Sequence, residues 1–419
     1  MSTSTRPRNA LYAQSGGVTP VINASAWGVI DAVRQHPERI GSLFLARNGI
    51  LGALNEALID AATLTDAQLA SLKTTPAGAF GSCRHKLKKD AEFDRLVALF
   101  EAHDIGYFFY NGGGDSADTC LKVAELARSR GLDLTAVHVP KTIDNDLPLT
   151  DCSPGFGSVA KYIATSVREA GLDIASMAPT STKVFIMEVM GRHAGWTAAA
   201  AGLAAANADT PPHLILVPEI AFDEARFIAA VSQTVERVGY CVVVASEGIR
   251  DGEGRFLAES GATDAFGHAQ LGGVAPVLAN LVKAKLGAKV HWAVPDYLQR
   301  ASRHIASATD LEQAIAVGQA AVGFALEGKR SVMAAIVRDQ ATPYRWHIAA
   351  VPLADVANRE KTLPRDYLDA EGYRLTEAGR EYFAPLIRGE AFPPFVDGMP
   401  ALPDWRFDNV TKRLVPFKD

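Results

Sequence analysis

Cysteine is scarce: four thiols, Cys83, Cys120, Cys152 and Cys241, lie scattered through 419 residues with no CxxC spacing. That scatter excludes a disulfide framework and a zinc-ribbon site. The ten histidines form no HExxH pair, so a zinc-hydrolase helix is absent as well. No apolar run approaches the roughly 18 residues that cross a bilayer. The opening MSTSTRPRNA lacks the apolar core of a secretory signal. Excess positive charge is missing too. Lys plus Arg number 42 against 47 Asp plus Glu, a net of −5, which argues against coating nucleic acid. With 48% apolar residues, the chain is far from a disordered composition. These absences lead us to expect a soluble, cytoplasmic, globular protein with no nucleic-acid or membrane partner.

What is present is alternation. Short apolar runs predict strands over 9–15, 107–110, 136–139, 183–189, 213–217, 240–245 and 332–337. Amphipathic or buried helical patterns fall over 20–35, 90–103, 119–130, 158–172 and the alanine-rich 196–206. Strand, loop and helix repeated over this length mean α/β architecture with largely parallel sheets. Such sheets bind ligands beyond the carboxyl ends of their strands, so chemistry belongs in the loops that follow each strand.

The first such loop, Ser15-Gly16-Gly17, lets backbone N–H groups approach a phosphate ahead of a helix. It is not a Walker A loop, since GxxxxGK[ST] occurs nowhere in the chain. The second, Gly112-Gly113-Gly114-Asp115-Ser116, opens the backbone to a charged ligand and ends in a carboxylate that could touch a metal or repel a phosphate. The third is the most specific. Lys141-Thr142-Ile143-Asp144-Asn145-Asp146 sets a lysine beside two carboxylates directly after a strand, which suits a general base, a metal-associated acid and a cation for phosphate oxygens. Met190-Gly191-Arg192 offers a two-pronged guanidinium grip. Ser246-Glu247-Gly248 offers a carboxylate for sugar hydroxyls, and Tyr297-Leu298-Gln299-Arg300 puts a phenol and a guanidinium on one side of a helical turn. Gly155-Phe156-Gly157-Ser158-Val159-Ala160 fits a GxGxxA pattern but follows no strand, so a nicotinamide cofactor is excluded. The basic run Arg84, Lys86, Lys88, Lys89 reads as a solvated face, Arg84 excepted.

Taken in order, these loops resemble the phosphofructokinase family, from about residue 10 to about residue 340. Within it they are similar to the pyrophosphate-dependent branch. ATP-dependent members usually carry Gly where this chain has Lys141, and Gly again where it has Asp115. A carboxylate at 115 takes the place of the nucleotide α-phosphate and repels it, while Lys141 supplies positive charge for pyrophosphate and its leaving phosphate.

The resemblance implies Mg²⁺-dependent, reversible phosphoryl transfer from pyrophosphate to the 1-hydroxyl of fructose 6-phosphate. It implies a phosphofructokinase-like α/β fold of two similar domains with mainly parallel sheets and the active site in the cleft between them. The expected division is 8–155 plus about 298–350 for the phosphate donor and Mg²⁺, 156–297 plus about 351–388 for the sugar, and 389–419 as an irregular extension. Residue by residue, it makes Asp144 the base, with Lys141 and Asp115 also catalytic. Gly16, Arg84, Gly114 and Lys141 bind diphosphate, and Asp115 and Asp146 hold the metal. Thr142, Ile143, Asp144, Met190, Gly191, Arg192, Glu247, Tyr297, Leu298, Gln299 and Arg300 bind sugar phosphate.

Four departures stand out. The family's metal-contacting aspartate falls on Gly114, and Tyr297 replaces a usual histidine. The basic residues that neighbouring subunits lend to the sugar phosphate align with Lys183 and, less basic, with His291 beside Lys289; the lending implies a homo-oligomer, a dimer or tetramer. Leu271–Pro276 resembles an insertion. Two rivals remain. Asp115 and Lys141 speak against an ATP-dependent 6-phosphofructokinase. A non-catalytic sugar-phosphate-binding subunit should have lost Asp144 and Asp146, and both are present.

Overall fold

The computed structural model describes residues 6–263 and 269–417. Its first sheet has seven strands: β1 (Arg8–Gln14), β2 (Ile40–Ala46), β3 (Leu58–Asp60), β4 (Ile105–Gly112), β5 (Thr135–Pro140) and two late strands, Val332–Gln340 and Arg345–Pro352. The late pair joins beside β5, in the order Arg345–Pro352, Val332–Gln340, β5, β4, β1, β2, β3. Both edge pairings are antiparallel and every inner pairing is parallel. The central strands are buried on both faces, from Ala10–Ala13 to Phe108–Tyr110. Such strands are written as unbroken apolar runs rather than alternating ones, as in any covered parallel sheet.

The second sheet is smaller and wholly parallel. Val290–Ala293 forms its edge, followed by β6 (Val184–Val189), β8 (Cys241–Ser246) and β7 (Leu214–Leu216). One apolar core runs through both halves, holding Val137 and Val139 of the first sheet with Met187 and Val244 of the second. Beneath the first sheet, helices Ile22–Arg34 and Ala308–Leu326 cross at two glycines. A β-carbon on Gly28 would lie 2.3 Å from the Ile315 carbonyl oxygen, and one on Gly318 would lie 2.2 Å from that of Ser25. Only backbone can occupy that crossing.

The chain then returns across the molecule. Ile215 N–H of β7 donates to Tyr373 O, and helix Glu377–Phe383 brings Tyr382 and Phe383 into an aromatic cluster with Phe156, Trp196 and Tyr367. The final segment is not wholly irregular: Phe395–Val396 and Met399–Pro400 form a short hairpin. Beyond it Trp405 and Phe407 cover Phe80, and the N–H groups of Arg413 and Leu414 donate to the buried Glu56 carboxylate.

Several expected elements differ in extent. The alanine-rich stretch is a helix only over Trp196–Ala200, tightening to a 3-10 turn over Ala201–Ala204. The helix expected from 119 starts at Gly114, because the chain turns within the triple glycine: the strand ends at Gly112, and Gly113 serves as the cap. The Leu271–Pro276 stretch leads into a helix over Val274–Leu286, whose first turn is capped by Glu188 through Gly273 N–H (3.0 Å) and Ala275 N–H (2.8 Å).

Candidate active site

The strand ends of both sheets open on one cleft of about 1000 Å³. From the first sheet come Ser15–Gly17 after β1, Gly113–Ser116 after β4 and Lys141–Asp144 with Asp146 after β5. From the second come Met190 and Arg192 after β6, Glu247 after β8, and Tyr297, Gln299 and Arg300 after the edge strand. Of the residues expected in the site, Gly191, Lys183 and Leu298 do not line the cleft. Gly191 stands just behind it, donating its N–H to Glu247 at 3.4 Å. Lys183 lies at the opposite end of β6 and donates to Ala178 O. The Leu298 side chain is 66% exposed.

The donor end is a cationic cradle. Gly16 has φ of +76°, a left-handed conformation that suits glycine, and a β-carbon there would sit 3.3 Å from Lys141 Nζ. One on Gly17 would lie 2.7 Å from Arg300 Nη1 and 3.6 Å from Arg84 Nη2. Two guanidinium groups and an ammonium thus gather over two glycines whose backbone is open to a ligand, which favours a compact polyanion. Arg300, expected on the sugar side, reaches the donor loop while its guanidinium stacks 3.7 Å above the Tyr297 ring. Asp296, just before it, has φ of +41°, backbone strain of the kind found at ligand clamps.

Burial pushes Lys141 down to about 8, opposed by Asp144 and Asp146, while Arg84 and Arg300 lower it further. Asp144 moves the other way, up to about 7. Burial is the main cause, the Asp146 and Glu247 carboxylates add to it, and Lys141 and a bond with Thr142 resist it. A carboxylate poised near neutrality, with Thr142 Oγ1 accepting the Asp144 N–H at 3.0 Å, is matched to general-base work. Burial also raises Asp146, and its Oδ1 is buried without a hydrogen-bond partner. Glu247 is raised as well, chiefly by burial.

Among the described residues no three His, Cys, Asp or Glu side chains gather as a metal cage. Mg²⁺ needs no such cage where one or two carboxylates share it with substrate phosphates, and the orphaned Asp146 oxygen is of that type. The basic run is not merely solvated. Lys86 Nζ bonds Asp115 Oδ1 at 2.9 Å, and Asp115 raises the lysine above its ordinary value. Asp115 sits in the first turn of its helix and Lys86 in a loop 29 residues earlier, a pairing no local pattern reveals.

The region matched by the family model described as Phosphofructokinase spans residues 9–325. The chain belongs to the phosphofructokinase family. It falls in the pyrophosphate-dependent branch. It is 60% identical over 414 residues to a pyrophosphate–fructose 6-phosphate 1-phosphotransferase of Halomonas elongata, covering 98% of this chain and 99% of that one. Crystal structures of pyrophosphate-dependent phosphofructokinases agree throughout. That from Marinobacter aquaeolei superposes with a TM-score of 0.89 at 57% identity, over 98% of this chain and 99% of its own. That from Nitrosospira multiformis gives 0.91 at 55%, over 98% and 100%. The α/β fold of this family member is therefore the one its loops led us to expect.

Glu188, His193, Asp296, Asn358, Arg359 and Glu360 also line the cleft and were missed as site residues. The last three belong to a charged run, Asn358–Lys361, that lies beyond every strand and loop read from the sequence and carries no motif.

Proposed function

We infer that this cleft transfers a phosphoryl group reversibly from pyrophosphate to the 1-hydroxyl of fructose 6-phosphate, giving fructose 1,6-bisphosphate and phosphate. The observation that carries the chemistry is Asp144, a carboxylate raised to about 7 beside buried Lys141 in a cleft with a cationic cradle. Asp144 takes the hydroxyl proton as the sugar oxygen attacks the near phosphorus in line. A new O–P bond forms, the bridging P–O bond breaks, and phosphate leaves with its electron pair. Lys141, Arg84 and the Gly16 and Gly17 N–H groups meet the charge that develops on the leaving phosphate, so catalysis is positioning and electrostatics. Thr142 and Ile143 complete the floor. Arg192, Met190, Glu247 and Tyr297 hold the sugar, with Arg300 between sugar and donor.

Membership of the family implies Mg²⁺. Asp146, with Asp115, would hold it together with phosphate oxygens and water. When bound, the ion neutralises charge on the pyrophosphate oxygens.

The oligomer implied by the family finds support at the second sheet's edge. Trp292, Val294, Tyr297 and Leu298 are exposed there beside the cleft, and His291 occupies the same strand. Lys183 would then serve a neighbour's sugar site. The two sheets support a division into a donor half, 8–155 plus about 298–350, and a sugar half, 156–297 plus about 351–388.

The test is fructose 6-phosphate turnover with pyrophosphate and with ATP, each with Mg²⁺. Turnover that needs pyrophosphate supports the reading; turnover with ATP alone overturns it.

A further inference from the structure

The loop bearing Asp144 and Asp146 is gripped from behind by a part of the chain beyond the residues that the family model matches. Asn145, between the two carboxylates, has φ of +55° and a fully buried side chain. That left-handed residue turns the backbone so that the aspartates on either side both line the cleft. Three bonds hold it there. Asn145 Nδ2 donates to Tyr382 Oη at 2.9 Å, Asn145 Oδ1 accepts Ser153 N–H at 3.0 Å, and the Tyr382 hydroxyl donates onward to Asp151 O. Tyr382 is itself fixed, its ring packed against Trp196 and lying 4.6 Å beneath the Arg338 guanidinium.

A second grip acts on the same loop. Lys361 N–H donates to Asp146 O at 2.7 Å, while its Nζ donates to Thr150 O at 3.0 Å and Asp151 O at 2.9 Å. Lys361 O in turn accepts Trp196 Nε1–H at 2.9 Å.

We propose that Tyr382 and Lys361 are positioning residues for phosphoryl transfer, acting on the base loop through Asn145 and the Asp146 backbone. Neither lines the cleft. The proposal rests on the reading of Asp144 as base. It requires a loss of turnover without a loss of substrate affinity, because a loosened base costs alignment while the cradle and the sugar grip stay intact.

The experiment compares Tyr382→Phe, Asn145→Ala, the double variant and Lys361→Met in the full-length protein, with kcat and KM measured for both substrates. Tyr382→Phe keeps the ring and removes only the hydroxyl. We expect kcat to fall roughly 10- to 100-fold with both KM values within about twofold. The double variant should fall no further than Asn145→Ala alone, since the two residues act in series. Lys361→Met keeps the main-chain N–H that meets Asp146 O but removes the Nζ bonds to Thr150 O and Asp151 O that anchor it. It should show the same kcat-selective loss, and it carries the test if Tyr382→Phe does not fold. Wild-type kcat in a folded Tyr382→Phe or Lys361→Met protein overturns the proposal. So does a loss confined to KM, or multiplying losses in the double variant. Failure of the base assignment would look different: Asp144→Ala would itself keep near-normal turnover.

Discussion

Asp144 binds its proton more tightly than an ordinary carboxyl because burial and two neighbouring carboxylates disfavour its charge. The acceptor hydroxyl needs it unprotonated. Forward kcat/KM should therefore climb as pH rises through about 7, an acid limb well above that of an exposed aspartate. A pH–rate profile from 5 to 9 checks this, and Asp144→Asn should lower kcat by roughly 10²–10⁴-fold across it. Donor choice is also set by single residues. Asp115 faces the donor loop already paired with Lys86. Asp115→Gly removes the charge that repels a nucleotide and leaves Lys86 without that partner, adding an attraction for an α-phosphate. At roughly 4 kcal/mol for unit charges about 4 Å apart in a medium of dielectric near 20, even part of that change is large. ATP should become a measurable donor while pyrophosphate use falls, and kcat/KM for both donors in the wild type and the variant decides it. ATP use that stays undetectable at millimolar nucleotide would assign exclusion to the shape of the adenine side instead.

At the scale of elements, the helix crossing at Gly28 and Gly318 has no tolerance for a side chain. Gly318→Val should destabilise by roughly 1–3 kcal/mol, as overpacking does, seen as a lower thermal midpoint with kcat unchanged in protein that remains folded. The same elements mark what sequence can and cannot tell. Strands buried on both faces, such as β4 with Phe108, Phe109 and Tyr110, announce themselves as apolar runs, and the loops after them were legible for the same reason. Ile40–Ala46 breaks its run with an exposed Gly41, and Val290–Ala293 is short with an exposed His291 and Trp292, so neither gives such a signal. In the site, residues contiguous in a post-strand loop could be read directly. Pairs made by tertiary folding could not: Lys86 with Asp115, or Asn145 with Tyr382, leave no trace in spacing because burial, not periodicity, joins them.

Across the whole molecule, the C-terminal segment is a fastening. Glu56 is pulled up by burial, but the N–H groups of Arg413 and Leu414 and its bond with His103 hold it below its ordinary value. Its contribution is therefore complete at neutral pH and is lost as pH falls through that lowered value. Ending the chain after Pro403 strips the carboxylate of two donors and uncovers Phe80. On the order of 3 kcal/mol of stability should go, with a lower urea midpoint at pH 7 and a smaller gap from the full chain in acid. Convergence of the two midpoints at neutral pH would show the tail to be passive.

The grip on the base loop also has a consequence in time. Asn145 and Tyr382 lie 237 residues apart, and a ribosome adding roughly 5–20 residues per second delivers the second on the order of tens of seconds after the first. Through that interval both glycine loops exist, and the base loop exists without its fastening. Full turnover in this enzyme should thus begin only once Tyr382 has been made and docked, so a growing chain, or one ended before that residue, would hold the reacting groups and spend little pyrophosphate.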